Sequence, residues 1–569
     1  MTMTSTAAYR AARDLLLELR LDREAARERF RYPDVGDRWN WAIDWFDAIA
    51  RGNDNPALVI AAEAGTMQRY SFDELARRSD AVARYLADRG IGRGDAVLLM
   101  LDNQIELWDA MLGVMKLGAV LMPTATAAGT ADLADRIERG DAKAVLCNAV
   151  DAAKFDGIAP GVLRICTSAV DGWEDFTSAA TADVPPAEHP GTGPDDRLLL
   201  YFTSGTTSRP KLVEHTQASY PIGHLPTMYW LGLQPGDVHL NVSSPGWGKH
   251  AWSSFFAPWI AEATIMVYNT HRFDAREFLR QLHVLDVTTL CAPPTVWRML
   301  IQADLGAKPE SLREVVGAGE PLNAEVIERV RSAWGLEIRD GYGMTETTAQ
   351  LGNTPGMRVR PGSMGMPLPG VASVLVDPET GEVVDGVGEG EICLDLAQHP
   401  LAVMTEYVAD PERTAAAFAN GFFHTGDIAA RDADGYVTYV GRTDDVFKAS
   451  DYKISPFELE SVLMRCSVVA ESAVVPAPHP VRHAVPKAYI TLVAGTEPSA
   501  EVAEQVLRFG REHLEPWQRL RRVEFVADLP KTISGKIRRA ELRIEERRRY
   551  DADERGDDFR YDDFPDLRG

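Results

Sequence analysis

Positive charge is in short supply in this chain. Lys and Arg total 60 against 84 Asp and Glu, a formal charge of −24, which opposes the electrostatic attraction behind nucleic-acid binding. DNA, RNA and anionic membranes are poor partners for it. Long apolar runs are also missing: no stretch of about 18 predominantly apolar residues occurs, so no membrane span is expected. The segment Leu15-Leu16-Leu17-Glu18-Leu19-Arg20 is too short and too charged for the core of a signal peptide. Cysteine is sparse, with five residues (Cys147, Cys166, Cys291, Cys393 and Cys466) far apart in sequence. They have neither metal-ligand spacing nor the density of a disulfide scaffold. They read as core thiols of a reducing compartment, and a cytoplasmic location is expected. No internal repeat and no Ser-His-Asp arrangement is evident.

What is present is an ordinary globular composition in a long chain. With 569 residues, 45% hydrophobic and 25% charged, at least two compact units with buried cores are expected. Ser71 and Glu74 form a capping-box signature, and Leu75, Val82 and Leu86 follow at helical spacing until Gly90, which predicts an amphipathic helix. Apolar runs at 96–101 and 119–122 flank a helix-like stretch at 108–116, the alternation of buried parallel strands with helices. The fold class is therefore α/β. A Pro-, Gly- and acid-rich connection at 185–196 precedes a short strand at 198–202 that enters a small-residue loop. Similar strand-then-loop patterns recur at Val315-Val316 before Gly317 and at Ile338 before Gly341. Ligands of open α/β sheets collect where loops leave the carboxyl ends of strands.

Near residue 436 the texture changes. Asp434-Gly435 is a turn signal and a short β-rich run leads into Gly441-Arg442-Thr443-Asp444-Asp445. The domain expectation is a large N-terminal multi-sheet α/β domain over 1–441, a small α+β domain over 445–549, and an acidic tail over 550–569. The stretch 551–566 reads as a solvated end.

The sequence Thr203-Ser204-Gly205-Thr206-Thr207-Ser208-Arg209-Pro210-Lys211 sets five hydroxyls before a lysine directly after a strand. Backbone N–H groups and hydroxyl donors in such a turn can hold phosphate oxygens, and a lysine adds a point charge. It is not a Walker A loop, because Arg209-Pro210 intervenes and no Ser or Thr follows Lys211. Four further motifs follow in order. They are Asp340-Gly341-Tyr342-Gly343-Met344-Thr345-Glu346, Thr425-Gly426-Asp427, the Gly441 to Asp445 segment, and Pro530-Lys531-Thr532-Ile533-Ser534-Gly535-Lys536. Each is weak alone. A lone loop tyrosine is usually packing, a lone Glu or Lys a solvated charge, and a lone Asp a turn residue.

Together, in this order, the five motifs resemble those of the adenylate-forming superfamily of acyl-CoA synthetases, luciferases and peptide-synthetase adenylation domains. The resemblance covers nearly the whole chain. It implies ATP binding by residues 203–208, Lys211, Gly317, residues 340–346, Asp427, Arg442 and Lys536. Tyr342 would offer a face for adenine, Thr345 a donor to the α-phosphate, and Asp427 with Arg442 the ribose contacts. Glu346 is a hard oxygen ligand suited to Mg²⁺. Lys536 would touch both the carboxylate and the α-phosphate, so the catalytic set is Lys536, Glu346, Thr345 and Lys211. Asp444 matches the hinge about which the family's small domain turns.

Residues 201–214, 243–247 and 447–460 look most like the medium-chain acyl-CoA synthetase branch. That resemblance implies activation of a medium-chain or aryl carboxylic acid as acyl-AMP and transfer to coenzyme A. It sets Ser450, Asp451, Tyr452 and Arg482 at CoA, and Trp247, Gly341 and Lys453 at the acyl group. Two departures stand out. Ser208 replaces a usual glycine of the phosphate loop, which restricts its backbone, and Asp451 replaces glycine along the path of the incoming thiol. Alternatives are delivery of the intermediate to a carrier protein, an amine or another acceptor, activation of an oxyanion such as nitrite, and, remotely, a non-catalytic nucleotide-binding protein. The sequence is silent on oligomeric state.

Overall fold

The structure is a computed structural model that describes residues 4–63, 65–203, 210–320, 322–449, 452–480, 483–531, 537–554 and 556–567. Among these residues the strands form three large sheets followed by a small hairpin and a further four-stranded sheet. The first sheet has a parallel centre, Glu314–Gly317, Thr289–Ala292, Val238–Asn241, Thr264–Asn269 and Pro56–Ala62. Antiparallel strands complete it at both edges. The second runs from Glu174–Asp175 through Ala96–Met100 and Val120–Pro123 to Arg197–Thr203 and its antiparallel partner Lys211–Thr216. Ala96–Met100 and Val120–Pro123 are buried along their whole length, as strands covered on both faces must be. The expected α/β architecture, a large multi-sheet N-terminal part and a smaller C-terminal part, is what the chain adopts.

Local signals account for much of this. The Ser71 hydroxyl accepts from the Glu74 N–H at 3.1 Å and opens the helix Phe72–Ala87, which buries Leu75, Val82 and Leu86. The helix stops three residues before the expected Gly90, which takes a left-handed φ of 86°. Indole and phenyl rings lock the first two sheets together: Trp41, Trp45, Phe46, Phe255, Phe256 and Trp259 are buried in one core. The Trp108 indole N–H donates across this layer to the Ser254 carbonyl at 2.9 Å. All five cysteines are buried free thiols. Among the described residues no helix is long and apolar enough to cross a membrane.

The C-terminal end departs from expectation. The stretch 551–566, read as solvated, instead completes the small core. Phe559–Arg560 adds an edge strand, pairing Phe559 with Val523. Leu567 is fully buried, Tyr561 and Phe564 pack on the same core, and Arg511 donates to the Leu567 carbonyl. The charge count concealed the cause: Phe559, Tyr561, Phe564 and Leu567 are interleaved with the acids and supply the apolar cover. Leu567→Ala should therefore cost about 2–5 kcal/mol, read as a lowered thermal midpoint; an unchanged midpoint would restore the solvated reading.

Candidate active site

A cavity of about 1130 Å³ opens at the carboxyl ends of the parallel strands. It exceeds the few hundred to roughly 1,000 Å³ of a pocket for one small ligand and has room for a nucleotide and a second reactant. Thr203 and Lys211 border it from one sheet, residues 340–346 from another, and Asp427 and Arg442 from the third. Ile537 and Arg538, directly after the segment that carries Lys536, close it from the C-terminal side. Four of the five sequence motifs thus send residues to one cavity, and the residues directly after the fifth border it too. Residues 204–208, Ser450, Asp451, Arg482 and Lys536 lie outside the described residues.

The segment 340–346, expected as a loop, is a strand, Arg339–Met344, hairpinned onto Thr348–Gly352 with a register shift at Tyr342 and Gly343. Its glycines permit that packing. A Cβ on Gly341 would run into the Trp230 indole, and one on Gly343 into the Thr348 carbonyl. Burial pushes the Asp340 carboxyl up to about 8, against donations from the Leu322 and Gly341 N–H groups.

Glu346 follows in the turn and is 4% exposed. It accepts from the Tyr407 hydroxyl at 2.9 Å, and the Lys211 ammonium lies 3.8 Å away. Lys211 itself donates to the Tyr407 oxygen at 3.1 Å. Burial holds the Lys211 ammonium below the ordinary lysine range, and Glu346 opposes that effect.

Tyr407 was not singled out in the sequence, where it sits in an unremarkable turn-rich stretch. Its placement comes from backbone pairing: Tyr407 bridges Val213, Val408 N–H donates to Leu212 O at 2.8 Å, and Met404 N–H donates to Glu346 O at 2.8 Å. One short segment therefore ties the strand of Lys211 to the turn of Glu346.

His215 is a second residue the sequence concealed. Its Nε2 lies 2.7 Å from the Thr345 carbonyl and its Nδ1 3.0 Å from the Ser219 hydroxyl. Ser219 Oγ accepts from Thr216 N–H, so its own proton points to Nδ1, and Nε2–H donates to Thr345. Burial lowers the imidazole to about 4, which keeps this neutral tautomer across the physiological range.

At the other wall the Tyr342 hydroxyl donates to Asp427 at 2.6 Å, Arg442 lies 3.3 Å from the same carboxylate, and the Tyr439 hydroxyl is 3.5 Å away. Coulombic attraction from Asp427 and Asp444 outweighs burial and raises Arg442 above its ordinary range. Arg442 Nε also faces Asp444 at 3.4 Å.

Other expected site residues sit elsewhere. Gly317 does not border the cavity, although Ala318 and Gly319 after it do; its Cα faces Leu322 and Ile338 within the core. Trp247 lines the cavity. Lys453 does not: it lies on the exposed hairpin strand Tyr452–Ile454 and pairs with Glu389. Tyr452 is exposed and stacks on Trp517, centroids 5.2 Å apart. In this arrangement the hairpin is off the cavity, so neither residue reaches an acyl group or a thiol there.

The sequence and the fold have recognisable kin. Residues 45–408 match the model of the AMP-binding enzyme family and residues 458–536 that of the AMP-binding enzyme C-terminal domain. The chain belongs to the AMP-binding enzyme family. It is 40% identical over 514 residues to 4-hydroxybutyrate–CoA ligase 1 of Metallosphaera sedula, spanning 90% of this chain and 91% of that one. The mitochondrial acyl-coenzyme A synthetase ACSM3 of Homo sapiens is 36% identical over 543 residues, 92% of each chain. Among solved structures, an acyl-CoA synthetase of Brucella canis superposes with a TM-score of 0.71 at 31% identity, over 93% of this chain and 99% of that one. The anthranilate CoA ligase AuaEII, solved with anthranoyl-AMP, gives 0.81 at 26%, over 91% and 99%.

The contact geometry makes Tyr407 testable. Tyr407→Phe removes a hydroxyl shared by an ammonium and a carboxylate, a class of bond worth about 1.5–3 kcal/mol. ATP-dependent turnover should fall roughly 10–100-fold, with a modestly lowered thermal midpoint in a variant that still folds; wild-type turnover would show that the hydroxyl is dispensable.

Proposed function

We propose that the protein is an AMP-forming acid–CoA ligase. The carboxylate oxygen of an acid attacks the α-phosphorus of ATP, pyrophosphate leaves, and an acyl-adenylate forms. The thiol sulfur of coenzyme A then attacks the acyl carbonyl and AMP leaves. The observation that carries this reading is the convergence of Lys211, Thr345, Glu346, Asp427 and Arg442 on one cavity large enough for a nucleotide and an acid.

Both reactants of the first step are anions, so the step needs positioning and positive charge more than it needs a base. Lys211 and residues 203–208 would hold phosphate oxygens. Lys536 would serve the reacting carboxylate and α-phosphate. Thr345, its backbone fixed by His215, would donate to the α-phosphate. Asp427 and Arg442 already form a paired acceptor and donor suited to a ribose diol, and Tyr342, whose hydroxyl Asp427 anchors, would present its ring to adenine. Glu346 is a hard oxygen donor at the cavity wall, a donor type that fits Mg²⁺ shared with substrate phosphates. When bound, the ion would supply charge neutralisation at the phosphates. Trp247 would flank the acyl group.

The thiol step requires the hairpin strands Phe447–Ala449 and Tyr452–Ile454, now off the cavity, to approach it. A rotation at Asp444 of the part that carries both the hairpin and Lys536 would exchange one for the other. After that motion Ser450, Asp451, Tyr452 and Arg482 would meet coenzyme A, and Lys453 the acyl side. The relatives' names span a hydroxy acid and aromatic acids, and a medium-chain or aryl acid remains the class we assign. Buried free thiols support a reducing compartment such as the cytoplasm.

ATP–pyrophosphate exchange across short, medium and aromatic acids, followed by mass analysis with and without CoA, tests the reading. Exchange with at least one acid and a CoA thioester are expected; exchange without thioester would redirect the acceptor, and no exchange with any acid would overturn adenylation. Asp444→Pro should leave exchange nearly intact and reduce thioester formation roughly tenfold or more, as a block of a conformational step does. Equal loss of both would contradict the hinge.

A further inference from the structure

Beside the adenylation corner the cavity carries a cation that none of the steps above uses. Lys249 follows Trp247 and Gly248 in the short helix Gly248–Ala251, and all three residues border the cavity. A Cβ on Gly248 would lie 3.0 Å from the Thr345 hydroxyl, so this turn abuts the residue assigned to the α-phosphate that the carboxylate attacks. From there the Lys249 ammonium reaches the Val242 carbonyl, at strand ends where Leu240, Asn241 and Val267 also border the cavity.

Its hydrogen bonding is thin. The hydrogen bond it makes runs to the Val242 carbonyl at 3.5 Å, at the limit of such contacts, and among the described residues no carboxylate lies within ion-pair distance. The nearby acid, Glu320, is engaged by Arg298 at 3.6 Å and by the Thr295 hydroxyl at 3.4 Å. Burial accordingly lowers the Lys249 ammonium below its ordinary range, and Cys291 and Glu320 oppose this only in part. The side chain keeps some accessible surface because the cavity borders it, although it lies deep in the protein. Lysine is almost never placed so deep without a partner, and an unpaired ammonium in low dielectric is costly. A ligand that brought an oxygen to it would relieve that cost.

We propose that the Lys249 ammonium recognises an oxygen acceptor at the distal end of the acid substrate, a second carboxylate or an ω-hydroxyl. The enzyme then selects ω-oxygenated acids over plain alkyl acids of equal length. This rests on the adenylating reading of the same cavity. A site that hydrogen-bonds a substrate oxygen rejects the analogue lacking it far more strongly than an apolar pocket rejects a missing methylene.

The test is ATP–pyrophosphate exchange with butyrate, 4-hydroxybutyrate and succinate, in the wild type and in K249M and K249Q. Wild type should favour one oxygenated acid over butyrate in kcat/KM by about 10–100-fold, the range for a bond to a charged group. Preference for succinate assigns the carboxylate and preference for 4-hydroxybutyrate the hydroxyl. K249M should abolish the preference by losing the oxygenated acid while exchange with butyrate persists, which also reports that the variant is folded. Wild-type preference for butyrate, an unchanged ratio in K249M, or uniform loss with every acid in both variants would overturn the proposal. Absence of exchange with any acid in the wild type would instead overturn the adenylating reading on which it rests.

Discussion

The Tyr407 hydroxyl, held between the Lys211 ammonium and the Glu346 carboxylate, joins two sheets that have no strand in common. Lys211 begins the edge strand of one and Glu346 sits in a hairpin turn of the other. The segment 404–408 reaches both through backbone bonds, at Leu212 and Val213 on one side and at the Glu346 carbonyl on the other. Without that tie a cation and an anion borne on separate layers have no reason to stay at one distance. With it they share a water-poor wall of the cavity, where charge acts strongly on phosphate.

The remaining wall is arranged on the same terms. Asp427 and Arg442 neutralise one another across adjacent antiparallel strands, and the Tyr342 hydroxyl completes the acceptor's shell. The neutral His215 imidazole holds the carbonyl of Thr345, a residue that lines the cavity. A set of charges already paired and hydrogen-bonded to the fold reorganises little when a nucleotide arrives, which is the condition for electrostatic catalysis.

Most of the architecture was legible in the sequence because its signals are local. The Ser71 cap, the all-apolar parallel strands and the hydroxyl-rich motif at a strand end each depend on a few neighbouring residues. The ordered motifs likewise pointed to Lys211, residues 340–346, Asp427 and Arg442, which border one cavity. Tyr407 and His215 were not legible, since their roles come from pairing between segments distant in sequence. The 340–346 segment was misjudged as a loop because its glycines read as turn signals, whereas they serve close packing against Trp230 and Thr348. The acidic tail was misjudged because net charge outweighed four interleaved apolar residues whose use depends on an open edge beside Val523. Lys453 was expected at the acyl group, yet it belongs to a hairpin that this arrangement leaves on the surface, paired with Glu389.

The central claim is that a carboxylate oxygen attacks the α-phosphorus of ATP. The most direct measurement is turnover of an acid labelled with oxygen-18 in its carboxylate, in the presence of CoA, with mass analysis of the nucleotide product. The account predicts AMP carrying one labelled oxygen. Unlabelled AMP, or ADP in its place, would contradict it.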